Sequence, residues 1–298
     1  MRAMAIRNYG EPEVLEAVDL PMPDVALGEV LVRVRAAAVN PADWKWRSGM
    51  FAAQLPVRFP HILGYDIAGE IVSGPRFAHG ARVAAMLDPV TKGGYAEYAT
   101  VPWRQIACIP DRVAFETAAA LPTAGLTGTQ MIEALATKAG DVVLVTGATG
   151  AVGRFALLAA RRLSIRTIAA VRHRQIAEAL SLGADEAIDL SADWPGEPLD
   201  HVVDTIGGPL VGRLCRHLRP AGTILTAATT PIDCTGLHVT PGFFAVQPSG
   251  TALQRLLDMV AETGFAVPIA KVLPLTEAAR AHRLVERGGT GGKIMLRP

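Results

Sequence analysis

The sequence predicts a chain of two characters: a small β-barrel or sandwich, then an α/β fold built on a doubly wound parallel sheet. Three observations carry that expectation. Short apolar segments separated by Gly, Pro and Asp clusters fill the first part. Strand-like and helix-like segments alternate beyond Phe115. One apolar run, Val142–Val145, breaks into spaced glycines and continues as a helix. At 298 residues the chain is long enough for two medium domains, each with its own core.

In chain order, Val30, Val32 and Val34 alternate with Leu31, Arg33 and Arg35, the period of a strand with one buried face. Further strand-like segments fall at 69–72, 81–86 and 95–101, with turn residues between them. Glu116–Leu121 and Leu126–Thr137 predict helices. Strands follow at 142–146, 166–171, 186–189, 200–204 and 222–227, with helices between most of them, which implies a parallel sheet covered on both faces. A helix over 250–263 ends at Gly264. The tail carries the strand-like Lys271–Leu275, a helix starting at Thr276-Glu277, and Gly292–Leu296, and it is expected to return to the first domain. The predicted domains are 1–118, 119–265 and a return segment 266–298. No tandem repeat or low-complexity stretch interrupts them.

Composition narrows the function classes. Half the residues are apolar (50%) and the formal charge is only +1, so no basic stripe marks a nucleic-acid binder. No apolar run approaches the roughly twenty residues of a membrane span, and Met1–Ile6 lacks the apolar core of a secretion signal. Cys108, Cys215 and Cys234 form neither a disulfide framework nor a zinc spacing, which fits a reducing, cytoplasmic setting.

The run into Gly147, Thr149, Gly150, Ala151, Val152 and Gly153 is the expected cofactor cradle. Glycine tolerates the tight turn and lets backbone approach a pyrophosphate, which rests on the amides of the helix start. About twenty residues on, where an NAD site usually carries an acid, the chain has Arg172-His173-Arg174. A guanidinium can hold a 2′-phosphate by charge-assisted bonds. One such bond contributes roughly 1.5–3 kcal/mol, enough to favour NADPH over NADH by roughly tenfold to a hundredfold. The competing reading leaves both arginines as solvated residues at the start of a helix Gln175–Leu182. Dinucleotides lie at the carboxyl edge of such a sheet, so Asp204–Gly207, including Thr205, and Thr226–Ala228, including Ala227, are expected to face the cofactor.

Several segments in shared order resemble the medium-chain dehydrogenase/reductase superfamily, and within it the zinc-independent quinone oxidoreductase branch. They are Ala38–Gly49, Leu63–Val72, Gly93–Tyr98, Thr123–Gly128, Leu182–Asp185 and Gly292–Leu296. The resemblance implies a GroES-like catalytic domain built from both chain ends with a Rossmann domain inserted between them. It also implies an active cleft between the two, NADPH as hydride donor, and a homodimer (in some relatives a tetramer). Zinc-dependent relatives place a Cys near Asn40, a His-Glu pair near Tyr65-Asp66 and a four-cysteine lobe after the barrel. This chain has none of these, so no metal is expected. His61 is expected to be a turn or packing residue.

Without a metal, an electron-poor quinone or an alkene conjugated to a carbonyl is the fitting small-molecule acceptor. The resemblance places Asn40 near the nicotinamide and acceptor. Many relatives carry a Tyr where this chain has Lys45. That lysine either orients substrate and stabilises oxyanion charge, or is solvated together with Arg47. Asp43 is expected to brace the local turn. Thr127, in a turn Leu126-Thr127-Gly128, is expected to touch the ribose or phosphate side. Phe243 and Phe244 either lie by the nicotinamide or belong to the core or a dimer interface. Trp44 and Trp46 either line the acceptor pocket or pack the barrel. The leading expectation is therefore an NADPH-dependent, metal-free reductase of quinones or activated alkenes. The alternatives are a selective enoyl or 2-alkenal reductase, or a non-catalytic NADPH-binding redox sensor.

Overall fold

The computed structural model describes residues 1–193, 196–265 and 267–298. Packing groups them into two compact units, Met1–Thr123 with Pro248–Pro298, and Ala124–Gln247. The first unit begins with β1 (Arg2–Ile6), β2 (Glu16–Asp19), β3 (Glu29–Val39), α1 (Pro41–Arg47), β4 (His61–Ile62), β5 (Asp66–Ser73), β6 (Arg82–Met86), β7 (Tyr98–Pro102), β8 (Ile106–Cys108) and α2 (Phe115–Ala119). β1 is the centre of a three-stranded antiparallel sheet between β2 and β4. β3 organises the larger sheet, pairing with β5 along one edge and with β7 at the start of the other. The expected alternation survives at Arg33, which is exposed, while Leu31 and Ala36–Val39 are buried as well. α2 packs against β3 and β5, and α8 also approaches β3. Two register shifts against β5 bend β3, as bulges do.

The second unit opens in α3 (Pro122–Ala134), then runs β9 (Val142–Thr146), α4 (Ala151–Arg162), β10 (Arg166–Val171), α5 (Ile176–Ser181), β11 (Glu186–Asp189), β12 (Leu199–Asp204), α6 (Gly208–Cys215), β13 (Leu218–Thr226) and β14 (Gly242–Phe243). The strand order is β11-β10-β9-β12-β13-β14 and every pairing is parallel. That is the doubly wound dinucleotide-binding order, with its switch point between β9 and β12. Both faces of the sheet are buried, so the central strands read as unbroken apolar runs. Val143, Val145, Ala169 and Val203 feed one core, while Val142, Leu144, Ile168 and Val202 feed the other.

The chain then returns through α7 (Gly250–Thr263), β15 (Ile269–Pro274), α8 (Ala278–Arg287) and β16 (Lys293–Arg297). β16 pairs antiparallel with the end of β3 and parallel with β15. α7, expected in the dinucleotide domain, belongs to the first unit instead. Its Gln254 side chain binds the backbone of β8 like an added strand residue, accepting from Cys108 N–H at 2.7 Å and donating to Cys108 C=O at 3.0 Å. The second unit therefore spans Ala124–Gln247 rather than 119–265. Ala266, where the return segment is expected to begin, lies outside the described residues. Among the described residues no helix is long and apolar enough to cross a membrane.

Candidate active site

In the second unit, β9 ends at Gly147, whose φ of +61° lies in the left-handed region that favours glycine. A Cβ there would also meet the Thr205 Oγ1 at 2.4 Å. Gly147 N–H donates to Ala170 C=O at 2.9 Å, and Gly150 N–H to Gly147 C=O at 2.8 Å, so the turn is tied to β10 and to itself. A Cβ on Gly153 would strike Gly147 O at 2.4 Å, and only glycine lets α4 pack this close to the turn. Gly150, the N-cap of α4, has no side chain with which to cap the first amides, and an anion can take that place. The residues thus fit a dinucleotide pyrophosphate. Two contacts brace the turn from outside it. Gln175 Nε2 donates to Thr149 Oγ1 at 2.7 Å, and Arg154 Nε donates to Thr149 C=O at 3.0 Å while its guanidinium pairs with Glu178.

Arg172, His173 and Arg174 lie at the end of β10 and are exposed. They form a single 3₁₀ turn, His173–Gln175, and the helix expected from Gln175 begins at Ile176. His173 Nδ1 is 3.7 Å from Asp189 on β11, whose carboxyl is held below the usual range by two bonds from Ser191. Neither Arg172 nor Arg174 has an ion-pair partner among the described residues, so both guanidiniums are available.

Beyond the switch point the carboxyl edge is clamped by Asp204, which is completely buried. Its carboxylate accepts from Thr146 Oγ1 and Thr226 Oγ1, each at 2.6 Å, and from the Ile206 and Gly207 amides at 3.0 Å. Within the segment expected to face the cofactor, the Asp204 carboxylate is therefore committed inside the sheet. The Thr205 hydroxyl is likewise engaged, donating to Thr146 C=O at 2.9 Å. Ala227 is half-buried, with its N–H on Asp204 C=O at 2.9 Å. Phe243 is 61% exposed on the edge strand β14, while Phe244 packs against the sheet core. Thr127 is buried within α3, not in a turn, because the helix already begins at Pro122.

The first unit holds a buried polar cluster. Asn40 precedes α1, and its N–H donates to the Asp43 carboxylate at 2.7 Å, so Asp43 braces the helix start. Asn40 Nδ2 donates to Asp66 Oδ2 at 2.9 Å, and Lys293 Nζ donates to Asn40 Oδ1. Asp66 Oδ1 accepts from Thr123 N–H at 2.9 Å and Thr123 Oγ1 at 2.6 Å. Burial pushes the Asp66 carboxyl up and the Lys293 ammonium down, and their mutual attraction opposes both shifts. Asp43 is pushed up to about 7, first by burial, with the Asn40 N–H opposing and the Asp66 charge adding to the rise. Among the described residues its buried Oδ1 has no well-formed hydrogen bond, although the Tyr95 hydroxyl approaches the carboxyl. Tyr95 in turn shares a 3.2 Å hydrogen bond with His282, which burial and then the nearby Arg47 pull down to about 3.

The neighbours of Asn40 divide. Lys45 is half-buried, with its ammonium 5.7 Å from the Trp44 ring, and desolvation pulls its pKa down. Arg47, solvated on one of the two readings of this segment, is fully buried against Glu286 at 3.2 Å, where α8 packs over α1. Trp46 is core: its indole N–H bonds the Tyr65 hydroxyl and its ring meets Phe51 at 5.2 Å. His61 is buried in β4, and burial pulls its pKa down.

Residues 26–111 match the alcohol dehydrogenase GroES-like domain family, and residues 182–296 match the zinc-binding dehydrogenase family. A chloroplast envelope quinone oxidoreductase homolog of Arabidopsis thaliana is 30% identical, over 100% of this chain and 98% of that protein. The chain belongs to the quinone oxidoreductase branch of the medium-chain dehydrogenase/reductase superfamily. The solved quinone oxidoreductase of Coxiella burnetii superposes with a TM-score of 0.89 at 30% identity, over 100% of this chain and 99% of that one. An Arabidopsis NADPH-dependent alkenal/one oxidoreductase of the chloroplast is 29% identical, over 100% of this chain and 80% of that protein.

Five of the segments that carry the family resemblance each send a residue to the buried polar cluster: Asn40, Asp66, Tyr95, Thr123 and Lys293. Sequence reasoning assigned a role to the first alone. The available signal was a lone charge heading an apolar strand, as in Asp66-Ile67-Ala68 and Lys293-Ile294-Met295. Among the described residues no group of three His, Cys, Asp or Glu side chains converges as a metal site would require.

Proposed function

We propose that this oxidoreductase is NADPH-dependent, needs no metal, and reduces quinones or alkenes conjugated to a carbonyl. The observation that carries the cofactor choice is the start of α4 at a glycine N-cap, with two arginines at the end of the next strand that have no ion-pair partner among the described residues. On this reading the amides of Gly147–Gly153 hold the pyrophosphate, and Arg172 and Arg174 hold the 2′-phosphate. Thr127, Thr205, Ala227, Phe243 and Phe244 flank the rest of the dinucleotide.

When bound, NADPH supplies a hydride, two electrons and one hydrogen, to an electron-poor carbon or ring. The protein then has to meet the charge left on the acceptor oxygen. Asn40 suits that task, since among the described residues its amide nitrogen donates only to Asp66 and keeps a second hydrogen for the acceptor. Lys45, its ammonium partly desolvated, adds positive charge from the same helix. The names of the relatives support both acceptor classes, and the same site serves either. The working form is taken as a cytoplasmic homodimer, in line with the three free cysteines and the family resemblance.

The test is consumption of NADPH by the purified protein against a panel of quinones, enones, alkenals and simple ketones. Quinones or conjugated carbonyls should turn over, simple ketones should not, and a strong chelator should leave the rate intact. Turnover of simple ketones, restored by metal after chelation, would overturn the reading.

A further inference from the structure

The closing segment of the chain puts a charge where the reaction has no evident use for one. Lys293 heads β16, its side chain only 6% exposed, and reaches Asn40 across 253 residues of sequence. Its ammonium donates to Asn40 Oδ1 and lies 3.7 Å from Asp66 Oδ2, the oxygen that accepts from Asn40 Nδ2. Such a buried pair is a poor stability device, since apolar residues of the same volume often serve as well or better. It does, however, have a consequence for the amide between its two charges.

A carboxamide is nearly symmetric in shape, and a flip exchanges its oxygen and nitrogen at little steric cost. Here a flip would turn NH₂ against an ammonium and C=O against a carboxylate. Both contacts change from attraction to repulsion, in a buried setting where each counts for more than in water. The carboxylate cannot swing away, because two Thr123 donors hold its far oxygen at 2.9 and 2.6 Å. Lys293 is held as well, in a strand paired with both β3 and β15. The cation on the oxygen draws electron density from the amide nitrogen, which strengthens its remaining N–H as a donor.

The geometry points to Lys293 as a positioning residue for the reduction: with Asp66 it locks the polarity of the Asn40 amide, so that the free N–H is presented to the acceptor oxygen. This rests on the reading of Asn40 as that donor. Lys293 acts through Asn40 and touches neither coenzyme nor acceptor.

The experiment compares Lys293→Met, Lys293→Gln, Asn40→Ala and the double variant Asn40→Ala/Lys293→Met. The readouts are kcat with a quinone and Kd for NADPH by fluorescence titration. Lys293→Met should lose roughly tenfold to a hundredfold in kcat, below the full loss of an oxyanion donor, with Kd for NADPH within about twofold. Lys293→Gln keeps a donor to Asn40 Oδ1 and should recover part of the rate. The double variant should be no slower than Asn40→Ala, because the two residues act as one unit. If the methionine variant does not fold, Asp66→Asn/Lys293→Met removes both buried charges and should show the same loss. Full kcat in Lys293→Met beside a slow Asn40→Ala overturns the role of Lys293 alone, as do additive losses in the double variant. Full kcat in Asn40→Ala overturns the donor reading and takes the Lys293 role with it.

Discussion

Asp66 in the first unit and Asp204 in the second are both completely buried carboxylates, and each takes a threonine hydroxyl at 2.6 Å. Their remaining partners differ. Asp204 is satisfied by neutral donors on the strands and turn around it, and it ties together the ends of β9, β12 and β13. Asp66 has a cation beside it and an amide between the two, drawn from β16 and from the start of α1. One carboxylate shapes a sheet edge. The other sets the polarity of a side chain. Burial alone does not separate a structural acid from a functional one; the charge and origin of its partners do.

Amide substitution should sharpen that contrast most. In Asp204→Asn the Thr226 hydroxyl can rotate to accept from the new NH₂, and the loss of stability should be about 1–2 kcal/mol. Asp66→Asn leaves the Lys293 ammonium buried without its counter-charge and should cost about 3–5 kcal/mol. Urea unfolding of the two variants checks this, and the reverse order would break the comparison. A smaller effect is expected at the sheet edge itself. Arg172→Ala/Arg174→Ala should lower kcat/KM with NADPH by roughly tenfold to a hundredfold and leave the NADH value nearly unchanged. An equal loss with both coenzymes would remove the phosphate role.

The subtlest prediction concerns Asp43, whose pKa rises from 3.8 to about 7 in the folded chain. Between those values the folded state keeps a proton that the unfolded state has released, so stability falls as pH rises through the window. Below it both states hold the proton and above it neither does. The slope should approach about 1.4 kcal/mol per pH unit, and Asp43→Asn should flatten it. A slope that persists in this variant belongs to another group.

The second unit was largely legible in advance. Strands buried on both faces declare themselves as apolar runs, and 142–146, 166–171 and 186–189 fall where the pattern puts them. The glycine turn was legible too, because a local signal makes a local structure. The polar cluster was not, since Lys293 and Asn40 meet only through the pairing of β16 with β3. The burial of Arg47 depends on α8, and the place of α7 depends on the Gln254 bonds to β8. No periodicity within those helices reports either partner. Thr127 stands at the start of the expected helix 126–137, where a turn is also read, and it lies inside α3 because the helix already begins at Pro122.

Calorimetric titration of NADPH into the wild-type protein and into Gly150→Leu tests the central claim most directly. A Cβ at Gly150 meets only Gly147 O, at 3.1 Å, so the variant should fold while its side chain fills the place proposed for the pyrophosphate. Saturable binding to the wild type and none to a folded variant is the expected result. Undiminished affinity in the variant, or no heat from the wild type, would contradict it.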